Sequence, residues 1–177
     1  MRRFLDRLYL AAGGLAAIFL AAICVLMLAQ AAGRELGVLV RGADDITAWL
    51  CAAAAFLPLA HTFKSGELIR VGLALDKVSE GKRRVLEIYS LVAATIIVGY
   101  MTWAVAGFVH ESWKFKELAQ GLLPIPIWIP QLSFLAGVAV LFIAIVDELV
   151  IVLRGRKPTY RIAEEERFAR GEFGEGV

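Results

Sequence analysis

Four long apolar runs without a single Asp, Glu, Lys or Arg dominate this chain: Leu8–Gly33, Ile46–Phe63, Ile88–Val109 and Leu118–Val146. A helix that crosses the hydrocarbon core of a bilayer needs about 20 apolar residues, so each run is long enough for one crossing. The runs and their short connections use nearly everything from Leu8 to Leu153, which leaves no room for a soluble catalytic domain. The expected fold is an all-α membrane protein with one four-helix domain over residues 1–155. Its spans fall near 8–32, 46–63, 88–109 and 128–149, and a tail follows over 156–177. A hydrophobic share of 59% agrees, since it exceeds the usual share of a soluble domain.

The polar stretches between the runs set the orientation. Three Lys/Arg precede the first run, six lie in the middle loop Lys64–Glu87, and six follow Val146, whereas the two other loops hold two each. Lys and Arg are retained on the cytoplasmic side, so both termini and the middle loop are expected inside. The four tryptophans agree without using charge. On this topology Trp49, Trp103, Trp113 and Trp128 all lie towards the outer side, and Trp favours the water–lipid boundary. A net charge of +2 gives no face for nucleic acid. Arg2, Arg3 and Arg7, with Ala29-Gln30-Ala31 beyond, also resemble a signal peptide. A signal core is about 7–15 residues long, however, and Leu8–Leu28 exceeds that, so an uncleaved first helix is expected.

Two connecting segments carry more pattern than a linker needs. Between the second and third spans, Leu68, Val71, Leu75 and Val78 share one helical face, with Arg70 and Lys77 opposite. An amphipathic helix over about 67–79 would lie in the interface, basic face towards water or lipid headgroups. In the outer segment, Pro124-Ile125-Pro126 blocks helix, while Pro130 suits a first turn. The fourth span then starts near Ile127–Pro130 and carries Asp147 and Glu148 about 30 Å on, to the inner interface. There they are expected as solvated carboxylates or as a polar contact with a partner helix. The tail ends in Gly171, Gly174 and Gly176, the composition of a partly disordered segment.

Chemistry is sparse. The first three runs hold no Asp, Glu, Lys or Arg, and their ionisable polar candidate is His61 near the inner end of the second. His110 lies near the outer surface, so the two histidines share neither a haem nor a metal. Cys24 and Cys51 lack a C-x-x-C arrangement and read as small packing residues. Small residues at helix-contact spacing, Gly13, Ala17 and Ala21 in the first span and Ala48 and Ala52 in the second, suggest close helix approach. No catalytic residue, cofactor or metal is expected.

At this point particular residues match a family. Asp44-Asp45-Ile46-Thr47-Ala48-Trp49 leading to Phe56-Leu57-Pro58-Leu59-Ala60-His61 resembles the second-helix region of the small membrane subunit, DctQ type, of tripartite ATP-independent periplasmic (TRAP) transporters. Gly66-Glu67-Leu68-Ile69-Arg70-Val71-Gly72-Leu73 resembles the motif that follows it, and Leu123-Pro124-Ile125-Pro126-Ile127-Trp128 the entry to the last helix. The resemblance spans about Met1–Gly155. It departs at Leu68, where the family often has His, and at Gly72, where it often has Asp, so roles of those two residues do not transfer.

The resemblance implies a bacterial or archaeal inner-membrane subunit that is neither enzyme nor pore. Its partners would be membrane lipids, a large DctM-type elevator subunit driven by a sodium gradient, and a DctP-type periplasmic protein delivering an organic acid. Candidate partner or lipid contacts are Asp44, Asp45, Arg70, Lys77, Trp128, Asp147 and Glu148. Two other readings stay open: a self-sufficient homo-oligomeric transporter, which would depend on Asp147, Glu148 or His61, and a small membrane redox enzyme.

Overall fold

A computed structural model of the chain describes residues 2–38, 41–65 and 80–163. The described residues are helical, without a strand, and four helical stretches are long and apolar enough to cross a membrane. Helix α1 covers Arg2–Glu35, α2 covers Ala43–Phe56 and α3 covers Leu59–Lys64; α4 follows at Glu80–Lys114 and α5 at Trp128–Leu153. The second crossing is α2 and α3 together, interrupted where Pro58 supplies no N–H to the turn before it. The ladder resumes at once, with Thr62 N–H donating to Pro58 O at 2.9 Å. The expected interfacial helix falls outside the described residues, as do Arg70 and Lys77.

Helices α1 and α4 have 34 and 35 residues, about 50 Å at 1.5 Å per residue. Both outrun the ~30 Å hydrocarbon core and carry their polar ends into the headgroup zone. Packing puts α5 at the centre: it meets α2, α3 and α4, while α1 lies on α2 and α3. Burial follows that order. In the most apolar stretch of each crossing, 39% of residues are buried in α5 and 28% in the α2–α3 unit, but only 11% in α1 and 6% in α4. The outer two helices therefore give most of their apolar surface to whatever surrounds the bundle.

The contact faces correct two expectations. Along α1 the buried residues among those described are Tyr9, Ala12, Ala16 and Gly33, while Ala17 and Ala21 are exposed. In the second crossing Ala53, Leu57 and Ala60 are buried, Ala52 is half-buried and Ala48 is exposed. An alanine-rich helix offers several stripes of small residues, and spacing alone does not choose among them. The large side chains choose: Phe19 packs with Ala16, Ala53 and Leu57, and Tyr9 joins Ala60, Phe63, Leu91 and Val152 in a second cluster. Gly13 keeps its expected contact, 3.5 Å from the His61 ring at the point a Cβ would occupy. Cys24 and Cys51 are exposed on their helices and do not pack in the bundle.

The tightest crossing joins α5 to the last turn of α2. A Cβ on Gly137 would lie 2.6 Å from both the carbonyl carbon and oxygen of Phe56, and the Phe56 and Phe134 rings meet edge to face at 4.2 Å. Backbone cannot yield as a side chain can. Gly137→Ala is therefore expected to lower the thermal stability of the detergent-purified chain, by about 1–3 kcal/mol as for other overpacked sites. Gly14→Ala, whose Cβ meets nothing within 4 Å, should be neutral or stabilising by up to ~1 kcal/mol. Equal melting of the two variants by circular dichroism would refute the close crossing.

Candidate functional site

Both ends of the bundle are closed by polar contacts that link one helix to another. At one end the acidic pair divides its work. Asp44 and Asp45 lie in the first turn of α2, where the positive end of the helix dipole favours carboxylates. Asp44 Oδ1 accepts from Gln30 Nε2 of α1 at 2.9 Å, and Asp45 Oδ2 accepts from the backbone N–H of Leu122 at 2.9 Å. The segment so gripped is a narrow loop between α4 and α5. An isolated antiparallel bridge pairs Leu118 with Pro126, Ala119 N–H donates to Ile125 O at 2.9 Å, and Ser112 Oγ donates to Glu117 at 3.0 Å. Trp128 opens α5 beside it, half-buried, and Pro130 occupies the first turn, where no N–H is needed.

At the other end a charged cluster sits deeper. Lys64, the last residue of α3, bonds Asp147 and lies 3.0 Å from Glu148 Oε1. Glu148 is wholly buried at 0% exposure, with Lys64 at 11% and Asp147 at 22%. The second Glu148 oxygen accepts the backbone N–H of Thr159 at 2.9 Å, and the Lys64 ammonium stands 5.4 Å from the Tyr9 ring centre, within cation–π range. Alongside, Glu87 of α4 lies 3.6 Å from Arg83 and 3.5 Å from Arg161. One cluster thus gathers α1, α3, α4, α5 and the turn after α5.

Glu148 is therefore not a solvated headgroup-level group, whereas Asp147 bonds Lys64 and stays partly exposed. They reach a basic residue of their own chain, because a carboxylate with no water around it persists only when charge and hydrogen bonds replace that water. The pattern that could have revealed Lys64 was present: it follows the second apolar run directly, as Asp147 follows the fourth, and both runs travel in the same direction. Tyr9, Gln30, Leu122 and Thr159 carried no such signal, since three contribute backbone or ring contacts and Gln30 is one polar residue in an apolar helix. Among the described residues no three His, Cys, Asp or Glu side chains converge, and His110 lies beside Trp113 at a ring distance of 6.0 Å.

Two consequences can be measured. Lys64→Met strands a buried carboxylate and should cost about 3–5 kcal/mol of stability. Asp147→Asn, at a partly exposed site, should cost about 1 kcal/mol or less. Adding Glu148→Gln to Lys64→Met should recover part of the loss, because no uncompensated charge then remains. Thermal melts in detergent would show this order, and equal losses in the two single variants would contradict it. At the opposite end, Asp45→Ala should speed hydrogen exchange of the Leu122 amide by about fivefold or more, given ~1 kcal/mol for a lost hydrogen bond. Asp44→Ala should leave that amide unchanged.

A four-crossing bundle with charge confined to its ends is an architecture shared by many membrane proteins, so family membership rests on sequence. No curated protein matches the chain. The profile described as "Tripartite ATP-independent periplasmic transporters, DctQ component" matches residues 23–155. That range includes Asp44 and Asp45, the Pro58 interruption, Lys64, the Pro124–Trp128 entry, and Asp147 with Glu148. The chain belongs to the DctQ family, the small membrane components of tripartite ATP-independent periplasmic transporters.

Proposed function

We propose that this subunit is the stationary partner of a large, multi-helix elevator subunit, holding it in place during sodium-driven uptake of an organic acid delivered by a periplasmic binding protein. The observation that carries this reading is the contrast between the ends of the bundle and its flanks. The cationic and anionic groups that could line a route are engaged with one another, Lys64 with Asp147 and Glu148, and Arg83 and Arg161 with Glu87. The flanks are apolar and open. Leu20, Val25 and Leu28 on α1, and Ile96, Ile97 and Tyr100 on α4, are all exposed. A bundle fastened at both ends, with wide apolar sides, suits a load-bearing contact with another membrane protein. It does not suit an alternating path, which would need ionisable groups free to exchange partners.

The basic residues give the orientation. The bundle end that carries Lys64 also carries Lys82, Arg83, Arg84, Arg154, Arg156, Lys157 and Arg161, against Arg34, Arg41, Lys114 and Lys116 at the other end. By the rule that Lys and Arg stay inside, the Lys64 end faces the cytoplasm of a cell whose inner membrane holds the complex. The Asp45–Leu122 loop then faces the binding protein.

Proteoliposomes holding this chain alone should accumulate nothing. Those holding it with the large subunit, the binding protein and an inward sodium gradient should take up an organic acid, and leaving this chain out should abolish uptake. Transport by the chain alone would sink the proposal. For orientation, alkaline phosphatase fused after Gly121 should be active in cells and the same reporter fused after Arg161 inactive.

A further inference from the structure

Helix α4 gives the smallest share of its apolar stretch to the bundle, and the face it turns outward is not uniformly apolar. Tyr89, Val92, Ile96, Tyr100, Trp103 and Gly107 recur at three- and four-residue steps and so share one face. All six are exposed, on the side away from the buried Leu91 and Val109. Tyr100 is 68% exposed and Trp103 72%, and their rings lie 6.0 Å apart.

The depth of this pair in the membrane limits what can surround it. The charge-free run Ile88–Val109 has its middle at Val98 and Gly99, so Tyr100 stands within about 3 Å of that middle at 1.5 Å per residue. About 12 Å of a ~30 Å hydrocarbon core then lies between Tyr100 and the nearer edge. Helical side chains lean towards the N-terminus of their own helix, which tips the Tyr100 ring back towards the middle. Water and headgroups are out of its reach there, and a hydroxyl left unpaired in hydrocarbon is costly. The serines and threonines of α4 avoid that cost on their own chain. Ser90 donates to Glu87 O at 3.0 Å, Thr95 to Leu91 O and Thr102 to Val98 O at 2.7 Å, and Ser112 to Glu117 at 3.0 Å. Tyr89, in the first turn of the run, is close to the interface that Tyr favours. The ring of Tyr100 holds its hydroxyl away from its own backbone. Neither that hydroxyl nor the Trp103 indole N–H has a hydrogen-bond partner among the described residues.

Helix α1 is the contrast. It is nearly as open, yet from Leu10 to Ala29 it carries no hydroxyl, amide side chain or ring N–H, which suits contact with lipid tails. Lipid tails offer Tyr100 and Trp103 nothing to bond, whereas a protein helix can. We infer that the Tyr100–Trp103 face of α4 docks a transmembrane helix of the large subunit, and that α1 faces lipid. The docked helix is one that presents a hydrogen-bond acceptor at mid-membrane depth, either a polar side chain or a backbone carbonyl freed by an unwound turn. The choice of occupant rests on the association with the large subunit proposed above, and on membership in a family of multi-component transporters. It does not rest on sodium coupling or on the substrate.

The test places the photocrosslinker benzoylphenylalanine in the full-length chain, in place of Ile96 on the α4 stripe or of Val25 on α1, both exposed. Each form is co-expressed with a tagged large subunit and irradiated in cells. Adducts with the large subunit are expected from position 96 and not from position 25. Association is then measured by energy transfer between the two labelled subunits in phosphatidylcholine vesicles. Tyr100→Phe, which removes only the hydroxyl, should weaken it about threefold, the usual worth of one hydrogen bond between membrane helices. Tyr100→Ala with Trp103→Ala should weaken it about tenfold or more, as at other buried aromatic contacts. Val25→Ala with Leu28→Ala should change nothing. Melts of the isolated chain should be the same for every variant, because the altered side chains are exposed. Adducts with the large subunit from position 25 but not from 96, adducts between two copies of this chain at 96, lipid adducts alone at 96, or unchanged affinity in both Tyr100 variants would each overturn the docking face. Absence of any association would remove the occupant and the face with it. Association through α4, with uptake that never depends on this chain, would overturn the stationary role and leave the face standing.

Discussion

A carboxylate shut away from water inside a helical bundle must have both oxygens occupied, and Glu148 meets that demand with two different parts of the chain. Lys64 lies against one oxygen at 3.0 Å, and the Thr159 N–H donates to the other at 2.9 Å. The first contact fixes how far the second crossing slides along the fourth. The second fixes where the chain goes after the fourth crossing ends. Everything beyond depends on that pin: Tyr160 is tucked under, Arg161 is carried to Glu87 of α4, and the outermost helix is tied to the centre. Apolar packing alone leaves helices free to slide, because one lipid-facing leucine resembles another. Charges buried at one depth remove that freedom, at the desolvation cost that such groups always carry.

The opposite end is fastened by weaker means. Gln30 to Asp44 and Leu122 N–H to Asp45 are both solvent-exposed single hydrogen bonds, worth about 1 kcal/mol each rather than several. A bundle with one stiff end and one yielding end can keep its helix register while its loop adjusts. Between the ends, Gly137 lets α5 press directly on the backbone of Phe56. The interruption at Pro58 lies just beyond, so the turn with the weakest helix ladder is the one braced by the closest contact.

The uninterrupted apolar runs made the four crossings legible, and Pro124, Pro126 and Pro130 marked where the last one begins. The acidic pair of α2 stood out too, but its targets did not. A backbone N–H such as that of Leu122 has no sequence signature, and Gln30 becomes a partner only once the ends of α1 and α2 meet. The helix faces were misread in α1 because Ala12, Ala16, Ala17 and Ala21 are equivalent by spacing. What separates them is where Tyr9 and Phe19 find room, which is a property of three helices at once. Glu148 was expected at the solvated interface or against a partner helix, and is instead wholly buried within its own bundle. Hydropathy treats each run separately, whereas its partner lies at the end of another run.

The basic residues that give the chain its polarity are not equivalent, and their partners sort them. Lys64 is neutralised by two carboxylates, and Arg83 and Arg161 share one. Those three would be needed at either membrane face, because losing Lys64 strands Glu148 and losing both arginines strands Glu87. Arg84 and Arg156 are exposed beside them, Arg84 with a 3.5 Å contact to Val152 O. Retention of positive charge on one side could be achieved equally well by lysines scattered through a loop. It does not by itself require a segment pinned at Thr159, Tyr160 and Arg161, which Glu148, Phe63 and Glu87 hold. Residues that begin as markers of orientation thus divide into those that bind the protein to itself and those left at its surface.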